Sequence, residues 1–425
     1  MAEGRGRRLR WLWLLIGSAV LTQSTLNLVR PMTSYKLLEL GADATIVGAV
    51  TAAYAILPLF LAVWLGKVSD RLPSLRILLA GGAVLLAGGA GLLAAGTTLW
   101  ALAVGSAVLG IGHLMYTIAG QSAVARYSRE SELDAGFGWF TAAFAAGQLI
   151  GPLAGGLIVG TAELGAPERL TSINVALLLG AALSILAVPL MIARPRLPDA
   201  GDARPNPVRR RGQAPLRGSA TGRRDAPSGD AGRPSVAKIL RIPGIPSHML
   251  ASLALLAMID ILVAFLPVVG ERAGVAPVWI GALLAVRGGA TILSRVFLPA
   301  LSRRWRRQPL VLVSLFGAGT ALAIPPLVIE QVWLAAVCLA VGGFCLGLGQ
   351  PLTMTLVSQS VPTPWRGSAL AVRLMGNRLG QVAMPLLAGV AAAPLGPAGA
   401  IWFSCAVLAV SGIEKLSPGH RGRGG

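Results

Sequence analysis

Residues 147–156 read GQLIGPLAGG, a glycine-rich stretch inside a long apolar run. A second copy of the pattern, Gly-Gln followed by Pro-Leu and a further Gly, lies at residues 380–389. The residue numbers of the Gln differ by 233 between the copies, and so do those of the Pro. The same shift relates Gly48 to Gly281. Matches at one constant spacing predict a duplicated fold.

The composition is that of a membrane protein. Hydrophobic residues make up 54% of the chain, charged residues make up 13%, and the mean hydropathy is +0.70, far from the balance of a soluble domain. The net charge of +20 does not indicate nucleic acid, because the basic residues lie in connections between apolar runs and in one central segment. The three Cys lie in apolar runs without metal-ligand spacing, so we predict no metal site.

Apolar runs of about 20 residues, long enough to cross a bilayer, recur along the chain. We predict an all-α membrane protein with twelve spans in two six-helix, pseudo-symmetric halves. The first run follows Arg5–Arg10 as in a signal peptide, but polar residues interrupt it, so we expect it to be retained. The predicted N-terminal half is residues 1–193, the linker is 194–246 and the C-terminal half is 247–425. The predicted spans are 11–36, 44–66, 76–97, 99–124, 137–160, 171–193, 247–269, 278–300, 309–329, 332–357, 368–393 and 398–414.

The distribution of Lys and Arg predicts the orientation in the membrane. With the N-terminus in the cytoplasm, 29 of these residues lie in inside segments and four in outside segments. Without the linker the ratio is still 17 to four, as the positive-inside rule requires. We therefore expect a multi-pass protein of the cell membrane (the plasma or inner membrane) with both termini in the cytoplasm.

The linker at 194–246 is rich in Pro, Gly, Arg and Asp and lacks apolar periodicity. This composition predicts disorder. Its basic residues could attract anionic lipids of the inner leaflet. The alternative is a solvated tether that enforces the topology.

Two motifs give the chain a resemblance to a known family. Between the second and third spans, Gly66 is followed by three residues and then by Asp70 and Arg71. This resembles the first half of the loop signature of the major facilitator superfamily, whose members have two six-helix halves. The second half departs from it, because residues 73–75 read Pro-Ser-Leu in place of Gly and basic residues. The resemblance implies that Gly66, Asp70 and Arg71 form a cytoplasmic gate that latches the halves in the outward-open state; the alternative is an ordinary positive-inside loop.

The second motif is the opening stretch, whose Gly147, Gly151, Pro152, Gly155 and Gly156 resemble the fifth-span signature of the drug/proton antiporter branch of that superfamily. Gly at every fourth position leaves a groove without side chains for another helix, and Pro152 removes a backbone hydrogen bond and kinks the span. We interpret the fifth span as a hinge, with plain helix packing as the alternative. The motif favours export over import.

One feature of that antiporter branch is missing. Its members usually carry an Arg in the fourth span, but residues 100–124 contain none, and the ionisable residue there is His113. The proton relay usually assigned to that branch therefore cannot be placed on an Arg of the fourth span in this chain.

Ionisable residues inside spans are costly to bury and are the best functional candidates. Asp260 lies midway along the seventh span and is the only acid deep in any span. We predict that Asp260 couples transport to protons, with a structural ion pair as the alternative. His113 is a second proton-coupling candidate. Arg287 is the third, and is predicted to pair with Asp260 or to hold an anionic group of the substrate.

Further polar residues are predicted to line a substrate cavity. Gln23, Asn27, Arg30 and Ser34 share one face of the first span, which suits a watery wall better than lipid. Tyr54 occupies the repeat position of Arg287. Each polar residue is as well suited to bridging helices as to contacting substrate. The cavity candidates are Gln23, Asn27, Arg30, Tyr54, Gln121, Asn377 and Arg378.

Enzyme and ATP-site motifs are absent from the sequence, so we predict a non-enzymatic protein without a cofactor, driven by the proton gradient. The predicted function is that of a monomeric secondary transporter in the lipid bilayer, exporting a small molecule, drug or metabolite, in exchange for protons by alternating access. One alternative is an importer or facilitator of a sugar-like or anionic metabolite. An alternative from another class is a non-transporting scaffold or lipid-handling protein.

Overall fold

The computed structural model describes residues 2–128, 133–192, 236–362 and 365–416. Within these ranges the chain forms fourteen α-helices, of which twelve are long and apolar enough to cross a bilayer. The predicted all-α class and the twelve spans are confirmed. The helices are α1 (Ala2–Glu39), α2 (Ala44–Arg71), α3 (Arg76–Ala95), α4 (Leu99–Tyr127), α5 (Leu133–Val159), α6 (Pro167–Ile192), α7 (Val236–Leu240), α8 (Ile245–Arg272), α9 (Pro277–Arg304), α10 (Arg307–Ala323), α11 (Pro325–Val328), α12 (Val332–Gln359), α13 (Arg366–Leu395) and α14 (Pro397–Leu416).

Two predicted segments differ in detail from the structure. The ninth span, predicted at 309–329, is found at Arg307–Val328 but bends at Ile324 between α10 and α11, because Pro325 and Pro326 lack the backbone donors that would continue the helix. The end of the predicted linker 194–246 is ordered, since α7 packs its buried Ile239 beside Ile245 of α8. Residues 193–235, which carry most of the predicted lipid-binding Arg residues, lie outside the described part of the chain.

Two helices begin where the sequence predicts them, because capping side chains precede them. The Asp43 carboxylate accepts a hydrogen bond of 2.9 Å from the Ile46 N–H at the start of α2. The Thr98 hydroxyl accepts one of 3.2 Å from the Ala101 N–H at the start of α4. Each cap satisfies a backbone donor that the first turn of a helix leaves without a partner.

Helices α1–α6 form the N-terminal half and α8–α14 the C-terminal half. We call the end of the bundle that carries residues 72–75 and the ends of α6 and α14 the proximal end. The end that carries Glu39 and Arg272 is the distal end. The proximal end is the predicted cytoplasmic one.

The halves meet where α5 packs on α9, and the contact is made by bare backbone. A Cβ atom added to Gly281 of α9 would lie 2.5 Å from the Pro152 carbonyl oxygen and 2.9 Å from the Gly156 Cα. Only glycine allows the two helices to approach this closely.

A second contact between the halves, where α2 packs on α13, copies the first. A Cβ atom added to Gly48 would overlap the Pro385 carbonyl oxygen and lie 3.1 Å from the Gly389 Cα. Each of these three residues stands 233 positions from its counterpart in the α5–α9 contact. The repeat seen in the sequence therefore corresponds to a pair of pseudo-symmetric contacts.

The opening motif also forms the predicted groove, and α1 is the helix that fills it. A Cβ atom on Gly147 would lie 2.5 Å from the Gln23 carbonyl carbon, and one on Gly151 would lie 2.7 Å from the Leu28 nitrogen. One turn further on, Gly155 lies against the Met32 side chain. The groove fixes α1 along its polar stretch.

Two alanine substitutions in α5 test this packing. Gly151→Ala would push α5 away from the α1 backbone and should cost about 1–3 kcal/mol of stability. Gly138→Ala is the matched control, because a Cβ there meets nothing within 4 Å, and the better helix former should add up to about 1 kcal/mol. Thermal unfolding midpoints of the purified variants should move in opposite directions; equal midpoints would contradict the packing.

Candidate functional site

An ion pair joins the two halves midway along α8. Arg30 Nη1 of α1 donates to Asp260 Oδ1 at 2.7 Å, and the two side chains are 13% and 7% exposed. Asp260, the acid singled out in the sequence, is therefore bonded to the opposite half. A charge-assisted bond at this depth makes the protonation of Asp260 relevant to how the halves are held.

The second carboxylate oxygen of Asp260 is bonded to α13. Gln381 Nε2 donates to Asp260 Oδ2 at 2.9 Å. Arg378 Nη1 in turn donates to Gln381 Oε1 at 2.8 Å. Gln381 was not predicted as a site residue, although it belongs to the second copy of the repeated motif.

Tyr54 and His113 extend this network within the N-terminal half. The Tyr54 hydroxyl lies 2.5 Å from His113 Nδ1. The Arg30 guanidinium carbon lies 4.9 Å from the centre of the Tyr54 ring, a cation–π distance. We call the connected group the central polar cluster: Arg30, Tyr54, His113, Asp260, Arg378 and Gln381.

Close helix packing positions the cluster. Gly110 of α4 lies against the backbone of Tyr54, where any Cβ would overlap the carbonyl oxygen. One turn along α4, His113 thereby reaches the Tyr54 hydroxyl. The α5 groove positions Arg30 in a similar way, because it holds the turn of α1 that precedes Arg30.

Arg287 lies beside the cluster in α9 and is completely buried. It is within electrostatic range of Asp260 and Arg30, yet none of its guanidinium nitrogens has a hydrogen-bond partner among the described residues. The predicted pairing of Arg287 with Asp260 is therefore not the arrangement found, because Arg30 and Gln381 occupy the two carboxylate oxygens.

A small cavity adjoins the cluster on its distal side. Two predicted cavity residues, Arg30 and Tyr54, line it together with Ser34 from the predicted face of α1. Its other polar lining is made of hydroxyl groups, from Thr33, Thr51 and Ser106. The wall can thus donate and accept hydrogen bonds.

The remaining cavity candidates are placed differently. Gln23 and Asn27 lie where α1 meets α5, and the Asn27 amide donates to the Gln23 carbonyl at 2.8 Å. Asn377 is buried next to Arg378 on α13. Gln121 is exposed on α4, towards the proximal end. Their contact with substrate stays a prediction.

The predicted cytoplasmic gate lies at the proximal end of α2. Gly66 and Arg71 belong to its last turns, while the Asp70 side chain is outside the described part of the structure. Arg126 of α4 donates to the carbonyl oxygens of Leu72 at 2.7 Å and Ser69 at 2.9 Å. This contact lies within one half, and the latch between halves stays a prediction.

Sequence reasoning missed an ion cluster at the distal end. Arg169 of α6 makes a two-pronged contact with the Glu271 carboxylate of α8, with 2.8 Å for Nη1 to Oε1. Its Nε also lies 3.0 Å from Glu39 Oε1 at the end of α1. Arg169 is 1% exposed. We call these three residues the distal ion cluster; it ties the two halves together.

Two further buried cations hold helices within a half. Lys36 Nζ lies 2.8 Å from the Leu93 carbonyl oxygen and 2.6 Å from that of Ala94, so it caps the end of α3. Arg373 of α13 donates to Gln350 Oε1 of α12 at 2.8 Å. Neither contact could be predicted from a local pattern in the sequence.

Comparison with known proteins assigns the fold to a family. Residues 12–363 match the model of the Major Facilitator Superfamily. The chain belongs to this superfamily. It is a multi-pass membrane transporter, and transporters of the superfamily bind small-molecule substrates and often couple their movement to protons.

A protein of known name resembles part of this superfamily member. The tetracycline resistance protein, class B, of Escherichia coli is 33% identical over 137 residues, which cover 31% of this chain and 33% of that protein. The chain thus matches about a third of that relative's length.

Solved structures show the same fold at low identity. The D-xylose-proton symporter superposes with a TM-score of 0.73 at 13% identity, covering 98% of this chain and 99% of that one. The nucleoside transporter NupG superposes with a TM-score of 0.71 at 17% identity, covering 96% and 98%. In this superfamily member the central polar cluster lies between the two repeats, where transporters of duplicated fold bind substrate.

Proposed function

We propose that this superfamily member is a secondary active transporter that exports a small molecule in exchange for protons by alternating access. The observation that carries the proposal is Asp260, a buried carboxylate whose partner Arg30 belongs to the other half. An ionisable residue at such a place is a natural link between proton binding and the relative position of the halves.

A proton on Asp260 would remove the charge from its side of the bond to Arg30. The tie between α1 and α8 would weaken, and Arg30 would become available to the cavity that it lines. His113 and Tyr54 lie beside Arg30 and provide hydrogen-bonding groups next to it. Proton binding would thus favour one arrangement of the halves over another, as coupling requires.

The fifth helix supports export and a hinge role. Its motif resembles that of the antiporter branch, and the partial match to a tetracycline resistance protein points to the same direction. In this chain α5 contacts α1 of its own half and α9 of the other half through glycine. A helix with both contacts can turn against α9 with few side chains to rearrange.

We also infer that the proximal end faces the cytoplasm, so that both termini lie there. The Lys and Arg distribution supports this orientation. The distal ion cluster would then hold the halves together at the outer face.

Substrate-driven proton movement in proteoliposomes tests the proposal. A pH-sensitive dye is enclosed, candidate solutes are added outside, and protein-free liposomes serve as the control. Exchange predicts that the interior becomes more alkaline as solute enters, whereas proton symport predicts acidification. Labelled solute that crosses without proton movement would replace the antiporter with a facilitator, and no solute movement at all would favour a scaffold.

A further inference from the structure

The centre of this transporter holds more positive than negative charge. Arg30 bonds to Asp260, Arg378 is linked to it through Gln381, and Arg287 lies within electrostatic range of it. Asp260 is the acid of this group among the described residues. With His113 counted as neutral, three cations face one anion. Excess charge away from water is unfavourable unless a group of opposite sign compensates it.

Arg287 is the arginine of this group that makes no hydrogen bond with a described residue. Its exposure is 0%, and Nε and both Nη atoms are without partners there. Arg30 bonds to Asp260 and Arg378 to Gln381. A guanidinium offers five donors in a planar fork that fits a carboxylate or phosphate group in two-pronged geometry.

The packing of α9 holds Arg287 in place. Gly343 of α12 lies against it, so that a Cβ there would be 3.0 Å from the Arg287 Cγ. The Thr291 hydroxyl lies 3.0 Å from the carbonyl oxygens of both Arg287 and Gly343. These contacts restrain the backbone and the first part of the side chain, so only the outer bonds of the side chain remain to be ordered when a ligand binds.

The cavity that Arg30 lines, on the distal side of the cluster, indicates the chemistry of the rest of a ligand. Arg30 contributes to its wall, and hydroxyl groups of Thr33, Ser34, Thr51 and Ser106 contribute most of the other polar lining. Such a wall suits a small molecule with hydroxyl or other hydrogen-bonding groups. A cationic ligand would meet three arginines, and the acid that could attract it is already bonded on both oxygens.

We propose that the substrate is a small polar organic anion whose carboxylate or phosphate group is bound by Arg287. This inference rests on the proposed transport function and names the substrate class of the same site. Binding brings the missing negative charge to the cluster. Arg30, when a proton on Asp260 frees it, becomes a second donor for the same anion.

Matched pairs of anionic and uncharged ligands test the inference in the purified full-length protein. Gluconate is compared with glucitol for the carboxylate, glycerol 3-phosphate with glycerol for the phosphate, and choline serves as a cation. At about 10 mM, at least one anion should raise the thermal midpoint of the parent by about 3 °C, with no shift from its uncharged partner or choline.

Substitutions of Arg287 assign the effect to this residue. Arg287→Gln should weaken anion binding at least about tenfold, and Arg287→Lys, which keeps the charge without the fork, should lie between it and the parent. Arg287→Gln should still fold, because it removes a buried charge that bonds to no described residue. The matched control is Arg373→Gln, another buried arginine, which should retain the anion response.

The outcomes separate this inference from the proposed function. Absence of any anion-specific shift in the parent, or an unchanged shift in Arg287→Gln, overturns the anionic substrate. If an uncharged solute then drives protons through proteoliposomes, transport stands and the substrate class is wrong. If anions bind through Arg287 but no solute crosses, the anion-binding site stands and the transport function is wrong.

Discussion

Asp260→Asn is expected to reduce substrate-driven proton movement to the level of protein-free liposomes, a loss of at least about 100-fold. The amide can still accept a hydrogen bond from Gln381 or Arg30, but it cannot take up a proton. Solute exchange without protons can persist, so labelled solute should still equilibrate across the membrane. The pH-sensitive dye and labelled solute are followed in the same vesicles.

The same substitution should also lower stability. It leaves Arg30 buried without its carboxylate, and breaking one side of a buried pair costs about 3–5 kcal/mol. The double variant Arg30→Gln with Asp260→Asn removes both charges, so we expect it to regain much of the thermal stability. It should not regain proton movement, which separates coupling from folding.

Glu330→Gln is the control for the loss of a carboxylate, because Glu330 is exposed and distant in sequence from the cluster. This variant should move protons as the parent does. Proton movement at the parental rate in Asp260→Asn would show that another group carries the proton, and His113 would be the next residue to test.

Arg169→Met should open the distal end. It removes the cation between Glu39 and Glu271 and leaves two partly buried carboxylates without it. If the substitution destabilises the closed arrangement by about 3 kcal/mol relative to the open one, the open population would increase about a hundredfold. Glu39→Gln should have a smaller effect, because the two-pronged contact of Arg169 is with Glu271.

Thiol labelling measures this opening. Leu37→Cys places a reporter at a buried cavity position near the distal end, in a protein whose native Cys are replaced by Ala. Labelling by a polar maleimide should be at least about tenfold faster with Arg169→Met than without it. Glu168→Gln is the control, because Glu168 is exposed and adjoins Arg169 in the sequence. It should leave the labelling rate unchanged. Equal rates in all variants would mean that the distal ion cluster does not hold the halves closed.

Local patterns in the sequence were enough for the twelve spans and for the internal repeat. The spans follow from apolar length, and the predicted starts of the second and fourth spans agree with those of α2 and α4. The repeat of Gly48 at Gly281 predicted a duplicated fold, and in the structure both glycines lie in contacts between the halves. These features depend on residues a few positions apart or on one constant spacing, so they can be read without coordinates.

The partners of charged residues could not be found in this way. Asn27 occupies the repeat position of Asp260, 233 residues earlier in the chain, but the residue that bonds Asp260 is Arg30, about one turn further along α1. Arg169 and Glu271 are 102 positions apart and meet only because the start of α6 and the end of α8 lie together at the distal end of the bundle. Such pairs depend on how helices are rotated and tilted, which apolar periodicity leaves open.

The two glycine contacts give the molecule the interface of a homodimer within one chain. The α2 surface of the N-terminal half receives α13, and its repeat counterpart α9 in the C-terminal half receives α5. Each half therefore presents one copy of this surface and packs against the other half's copy, as subunits do in a symmetric dimer. Backbone shape sets this fit, and side chains at the centre take little part in it. The two halves were therefore free to diverge there, with Asp260 against Asn27 and Arg287 against Tyr54, and a symmetric frame came to enclose an asymmetric site.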